Sequence, residues 1–114
     1  MTQPTIWHNP RCSKSRETLA ILEDEGFSPV IVKYLEATPT ADEIRDTLAL
    51  LGIAANDLIR KGESVYKELG LANATEADLI AAMATHPILI ERPVVFHNGK
   101  VSLGRPPKSV LGIL

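Results

Sequence analysis

The chain of 114 residues contains a single cysteine, Cys12, so no disulfide can form within it. The disulfide-scaffold class is thereby excluded, and a domain of this size buries roughly two-thirds of its unfolded surface without such staples. Basic excess is also missing: the formal net charge is −2, with 12 Lys and Arg against 14 Asp and Glu. That balance argues against a dedicated nucleic-acid binder. No apolar run approaches the roughly 20 residues a membrane span requires. The start, Met1-Thr2-Gln3-Pro4, shows no basic stretch followed by an apolar core, so no signal peptide is expected. A free cysteine without export signals suits a reducing cytosol. Internal repeats and low-complexity tracts are absent as well. What remains is an ordinary globular balance, 45% hydrophobic and 23% charged, fitting one domain over residues 1–114.

Thr5-Ile6-Trp7-His8 is β-prone and ends at the turn signal Asn9-Pro10. Ser13 to Glu25 reads as a helix with Thr18, Leu19 and Leu22 on its apolar face and Gly26 as its stop. Val30 to Tyr34 is nearly all β-branched or aromatic and predicts a buried strand. Strand, helix, strand at this spacing predicts a βαβ unit with parallel strands. Residues 39–87 read differently. Thr40-Ala41-Asp42-Glu43 is a capping box before Ile44, Leu48 and Leu51, and Gly52 ends that helix. Short helical turns are expected at 56–60 and 64–69. Thr75-Glu76-Ala77-Asp78 caps another helix, with Leu79, Ile80 and Met83 inward, ending before His86-Pro87. The chain then returns to β. Val94–His97, Asn98-Gly99 and Lys100–Leu103 carry a hairpin signature, because Asn-Gly supplies the two positive φ angles of a type I′ turn. A terminal helix follows Gly104-Arg105-Pro106-Pro107. The order describes a small α/β layer fold.

Cys12 falls between the first strand and the first helix. There the unpaired N–H groups and the positive dipole end favour an anion, and a thiolate is one. Such a position lowers a cysteine pKa from about 8.5. Arg11, Lys14 and Arg16 add positive charge, Ser13 and Ser15 offer hydroxyls, and His8 lies four residues upstream. A core cysteine is usually flanked by apolar residues, and these neighbours are polar. Cys12 therefore reads as a reactive thiol rather than a structural one. One cysteine and three scattered histidines give no ligand pair at zinc spacing, so no metal is expected. Serine occupies the place of a second thiol in Cys12-Ser13-Lys14-Ser15, so redox turnover needs an outside thiol. The helix N-terminus also suits a tetrahedral oxyanion. Arg60, Arg92 and Arg105 are candidate arginines, but spacing alone does not separate them from Arg16 or Arg45. The Arg92-Pro93 bond is a candidate cis peptide. His8 stands to bias the thiolate by charge or by a hydrogen bond. His86 ends a helix, and His97, beside the hairpin turn, is expected to be exposed.

His8-Asn9-Pro10-Arg11-Cys12-Ser13-Lys14-Ser15-Arg16 resembles the active-site loop of the glutaredoxin-coupled arsenate reductase family. The likeness runs on through Tyr34-Leu35-Glu36, Leu58-Ile59-Arg60-Lys61, residues 86–95 and Gly104-Arg105-Pro106-Pro107. It implies a thioredoxin-like core, residues 1–38 and 88–114, with a mixed β-sheet flanked by helices and a helical insertion, residues 39–87. It implies an arsenate reductase serving arsenical resistance. Cys12 would attack arsenate and form a covalent adduct. Glutathione, as co-substrate, and glutaredoxin would supply the electrons, with no bound cofactor. The resemblance gives Arg60, Arg92 and Arg105 oxyanion binding, His8 and Ser15 thiolate activation, and Pro93 the structural cis-proline. A monomer in the cytoplasm is expected. Two rival expectations share the fold: a glutathione-dependent thiol reductase of another substrate, and a transcription regulator that binds RNA polymerase. The regulators commonly carry a Cys-x-x-Cys switch, which Ser15 removes here.

Overall fold

The structure, a computed structural model, describes residues 2–114. The chain divides into two compact units: Met1–Ala37 with Arg92–Leu114, and Thr38–Glu91. The first unit carries a four-stranded sheet. Strands β1 (Thr5–Trp7), β2 (Val30–Val32), β3 (Val94–His97) and β4 (Lys100–Leu103) lie in the order β2-β1-β3-β4. β1 and β2 are parallel, with Ile6 opposite Ile31, and β1 and β3 are antiparallel, with Ile6 opposite Val95. The parallel pair is joined through helix α1 (Ser13–Asp24), as the βαβ reading requires. Asn98 and Gly99 take φ angles of 54° and 73°, which closes the β3–β4 hairpin as its Asn-Gly signal predicts.

One face of this sheet is sealed by α1 and by the 3-10 helix Pro107–Ile113. Ile6 and Val95 from the sheet, Leu22 from α1 and Val110 from the 3-10 helix are wholly buried together. Trp7 and Phe96 stack obliquely at 5.0 Å. The terminal helix is thus 3-10 throughout, not α.

Two expectations fail in this unit. The strand predicted as buried, Val30 to Tyr34, is only three residues long and lies at the sheet edge. Val30 and Ile31 are 54% and 47% exposed. β-branched composition reports strand propensity, not the number of covered faces. His97 is buried, not exposed: its Nδ1 lies 2.9 Å from Ile113 O and its Nε2 3.3 Å from Thr2 O. Both ends of the described chain fold over this position, which the hairpin pattern does not reveal.

The second unit is helical: α2 (Ala41–Leu51), α3 (Ala55–Leu58), α4 (Ser64–Glu68) and α5 (Glu76–Thr85). The capping box forms as expected. Thr40 Oγ1 accepts from Glu43 N–H at 3.1 Å, Glu43 Oε1 accepts from Thr40 N–H at 3.0 Å, and Gly52 turns left-handed at the end. α2 and α3 pack on α5, burying Ile44, Leu48, Leu58, Ile80 and Met83. Residues 88–91 join this unit through the antiparallel bridge Ile59–Ile90, with Arg60 N–H donating to Leu89 O. No helix among the described residues is long and apolar enough to cross a membrane.

Candidate active site

β1 delivers the chain to a tight turn. Cys12 N–H donates to Asn9 O at 3.0 Å, and Arg11 N–H donates to Asn9 Oδ1 at 3.0 Å. Asparagine suits this place because its side chain mimics a backbone turn. Cys12 then becomes the N-cap of α1, with φ −93° and ψ 124°, and its carbonyl accepts the first helical bond from Arg16 N–H. The reactive candidate therefore sits at the positive end of a 12-residue helix, as the sequence order predicts. Arg16 reaches back from the first turn, and its Nη1 donates to Pro10 O at 3.0 Å.

Cys12 is largely buried. Burial pushes its thiol pKa up. The N–H of Ser15, the charge of Arg92, the N–H of Lys14 and a hydrogen bond from Arg92 together outweigh it, and the thiol lies below its ordinary value. The sulfur closes no cap hydrogen bond of ordinary geometry. The N–H dipoles instead act as oriented partial charges, which suffices to favour an anion.

His8 and Ser15 meet. His8 Nδ1 and Ser15 Oγ are 2.6 Å apart, and Asn9 N–H donates to the same oxygen at 3.0 Å. Both side chains are buried. Burial, then the charges of Lys33 and Arg16, lower the His8 pKa, so the imidazole is neutral at pH 7. A neutral imidazole adds no positive charge beside the thiol, and its hydrogen bond goes to Ser15. Ser15 presents its backbone N–H toward the thiol, and its hydroxyl is engaged by His8 and Asn9.

Arg92 faces the thiol and carries Arg105 on its backbone. The Arg92-Pro93 bond is cis, as expected for Pro93, and so is Arg105-Pro106, which the sequence reading did not anticipate. Arg105 Nε donates to Arg92 O at 2.8 Å, so one candidate arginine is braced on the backbone of the other. Gly104 N–H donates to Pro93 O at 2.9 Å. Arg60 lies in the second unit, paired with Glu63 at 3.1 Å and with Glu91 at 3.9 Å. Arg60 and Glu63 are three residues apart in a turn, with Glu63 N–H donating to Arg60 O at 3.4 Å, so the first pair is local in sequence. Nothing in the sequence announced the second, or the hub role of Asn9 beyond its turn. Among the described residues no group of three or more His, Cys, Asp or Glu side chains is placed to hold a metal.

A mixed sheet flanked by helices, with one polarised thiol at a helix N-terminus and a cis-proline directly after the arginine that faces it, defines a thiol protein of thioredoxin-like fold. The ArsC family model matches residues 7–113, and the chain belongs to that family. It is 50% identical over 115 residues to the uncharacterized protein YfgD of Escherichia coli K12, covering 98% of this chain and 97% of that one. It is 44% identical over 117 residues to an arsenate reductase of Neisseria meningitidis serogroup A, covering all of both. The solved structure of an arsenate reductase from Vibrio cholerae superposes with a TM-score of 0.94 at 48% identity, covering 98% of each chain.

Proposed function

We propose that the chain reduces arsenate to arsenite, with glutathione and glutaredoxin as electron donors. The observation that carries this reading is the Cys12 thiol, held below its ordinary pKa at the start of α1 with Arg92 beside it. The Cys12 thiolate attacks arsenic, an As–S bond forms, and one oxygen of arsenate leaves as water. Glutathione then adds to arsenic through sulfur, releasing a second water. A glutaredoxin thiolate attacks the glutathione sulfur. The electron pair of that S–As bond passes to arsenic, which becomes As(III), while the two donor sulfurs are oxidised to a disulfide. Hydrolysis of the remaining Cys12–arsenic bond frees arsenite and the thiol.

Arg60, Arg92 and Arg105 are the proposed oxyanion ligands, and His8 and Ser15 the groups that hold the thiolate loop. Outside thiols are needed because Cys12 is the chain's one cysteine. The names of the Neisseria and Vibrio relatives support arsenate as the substrate. Arsenite formation by purified protein with both reductants tests the proposal. Turnover is expected, and Cys12→Ser should abolish it while the far-UV spectrum is retained, because a serine hydroxyl stays protonated at pH 7. Absence of turnover by folded protein with a free thiol overturns it.

A further inference from the structure

Arg60 already has anionic partners. Its Nη1 lies 3.1 Å from Glu63 Oε2 and its Nε 3.9 Å from Glu91 Oε1, and all three side chains are partly buried. The backbone dictates this cluster. The Ile59–Ile90 bridge is flanked by Arg60 N–H to Leu89 O at 2.7 Å and Glu91 N–H to Leu58 O at 2.9 Å. Alternate residues of such a pair share a face, which makes Arg60 and Glu91 diagonal neighbours. Glu63 follows Arg60 at i+3.

While Arg60 stays on Glu63 its guanidinium is shared with a carboxylate, and an incoming oxyanion must compete for it. Ion pairs that keep some solvent contact are weak enough to exchange partners. We propose that Glu63, with Glu91 behind it, is an internal competitor for Arg60: the carboxylates hold the guanidinium in the anion-free protein, and an oxyanion must displace them. This rests on the reading of Arg60 as an oxyanion ligand. It gives the pair a role in selectivity. A dianion such as arsenate or phosphate outcompetes a carboxylate for a guanidinium, and a monoanion such as chloride does not. Glu63 is on this view a positioning residue that sets anion affinity without touching the reacting atoms.

The test compares wild type, Glu63→Gln, Arg60→Ala and the double variant. Two quantities are read: the concentration of inorganic arsenate that half-protects Cys12 from iodoacetamide, and KM for arsenate against kcat. Glu63→Gln should lower the half-protecting concentration and KM by about two- to fivefold, the range expected for a partly exposed ion pair, with a smaller change in kcat. Glu91→Gln should act in the same direction but more weakly, and it serves as the second variant should Glu63→Gln not fold. Arg60→Ala should raise both quantities, and in its background Glu63→Gln should lose most of its effect. If Arg60→Ala raises them but Glu63→Gln leaves them unchanged or raises them, the competitor is overturned and Arg60 remains a ligand. A full Glu63→Gln effect without Arg60 also overturns it. If Arg60→Ala changes nothing, the ligand reading falls, and the competitor with it.

Discussion

Ser15 Oγ sits 2.6 Å from His8 Nδ1 and also accepts the Asn9 N–H at 3.0 Å. One wholly buried hydroxyl thus ties the end of β1, the turn and the first turn of α1 together. Ser15→Ala removes that oxygen and leaves an imidazole nitrogen and a backbone N–H without it. Leaving buried polar groups unsatisfied costs about 1–3 kcal/mol, and the urea midpoint should fall accordingly. The loop that aims the N–H groups at Cys12 loosens too, so the alkylation profile of the thiol should move to higher pH. A variant with unchanged midpoint and profile would show that the hydroxyl is dispensable.

The His8 imidazole gives a pH signature of known sign. Burial, Lys33 and Arg16 hold it below its ordinary value of 6.5. Above that value the imidazole is neutral in both folded and unfolded chains, and its contribution to stability is complete. As pH falls through it, the unfolded chain takes the proton first, and stability is lost until pH has passed the folded value. Wild type should therefore lose more stability on acidification in this window than His8→Gln, after each is normalised to pH 8. A proton NMR titration placing the His8 transition above 6.5 would contradict the neutral imidazole.

Much of this was legible from local pattern. Asn9-Pro10, the capping box at Thr40, Asn98-Gly99 and the place of Cys12 before α1 each depend on residues within a few positions of one another. The structure reproduces all four. Burial was less legible, because it depends on which distant segments arrive. Val30 and Ile31 have the composition of a core strand and lie at an edge, whereas His97 looks like a hairpin surface residue and is covered by both chain ends. The arginines show the same limit. Arg92 differs from Arg45 only through the fold, which brings it to the thiol, while Arg45 pairs with Asp42 on an exposed helix face.

Arg92 both attracts the Cys12 thiolate and hydrogen-bonds it. Arg92→Gln keeps a hydrogen-bond donor and removes the charge, while Arg92→Lys keeps the charge and loses the planar fork. The pH midpoint of iodoacetamide alkylation should rise in both, and further in Arg92→Gln if charge is the larger contribution. Arsenite production at neutral pH should fall in the same order. A midpoint that stays put in both variants would assign the lowered pKa to the helix N–H groups alone.

Gly104 links the two arginine-bearing bends to α1. A β-carbon added there would lie 2.5 Å from Thr18 Oγ1 and 2.6 Å from Pro93 Cγ, closer than real contacts allow. Thr18 is wholly buried, and its hydroxyl donates at 2.8 Å to the carbonyl of Lys14, whose N–H, with that of Ser15, faces the sulfur. Neither neighbour is free to withdraw: the threonine is fixed within the helix and the proline within its ring. Gly104→Ala should therefore cost about 1–3 kcal/mol as an overpacked site. It should also reduce arsenite production by more than that loss of folded protein explains. Arg105 is the next residue, and its Nε bond to Arg92 O depends on where the bend lies. Adding Thr18→Ala removes one of the two collisions and leaves that with Pro93. The double variant should regain part of the urea midpoint and only part, whereas full recovery would mean that Pro93 yields and that the bend is not held as tightly as the contact implies.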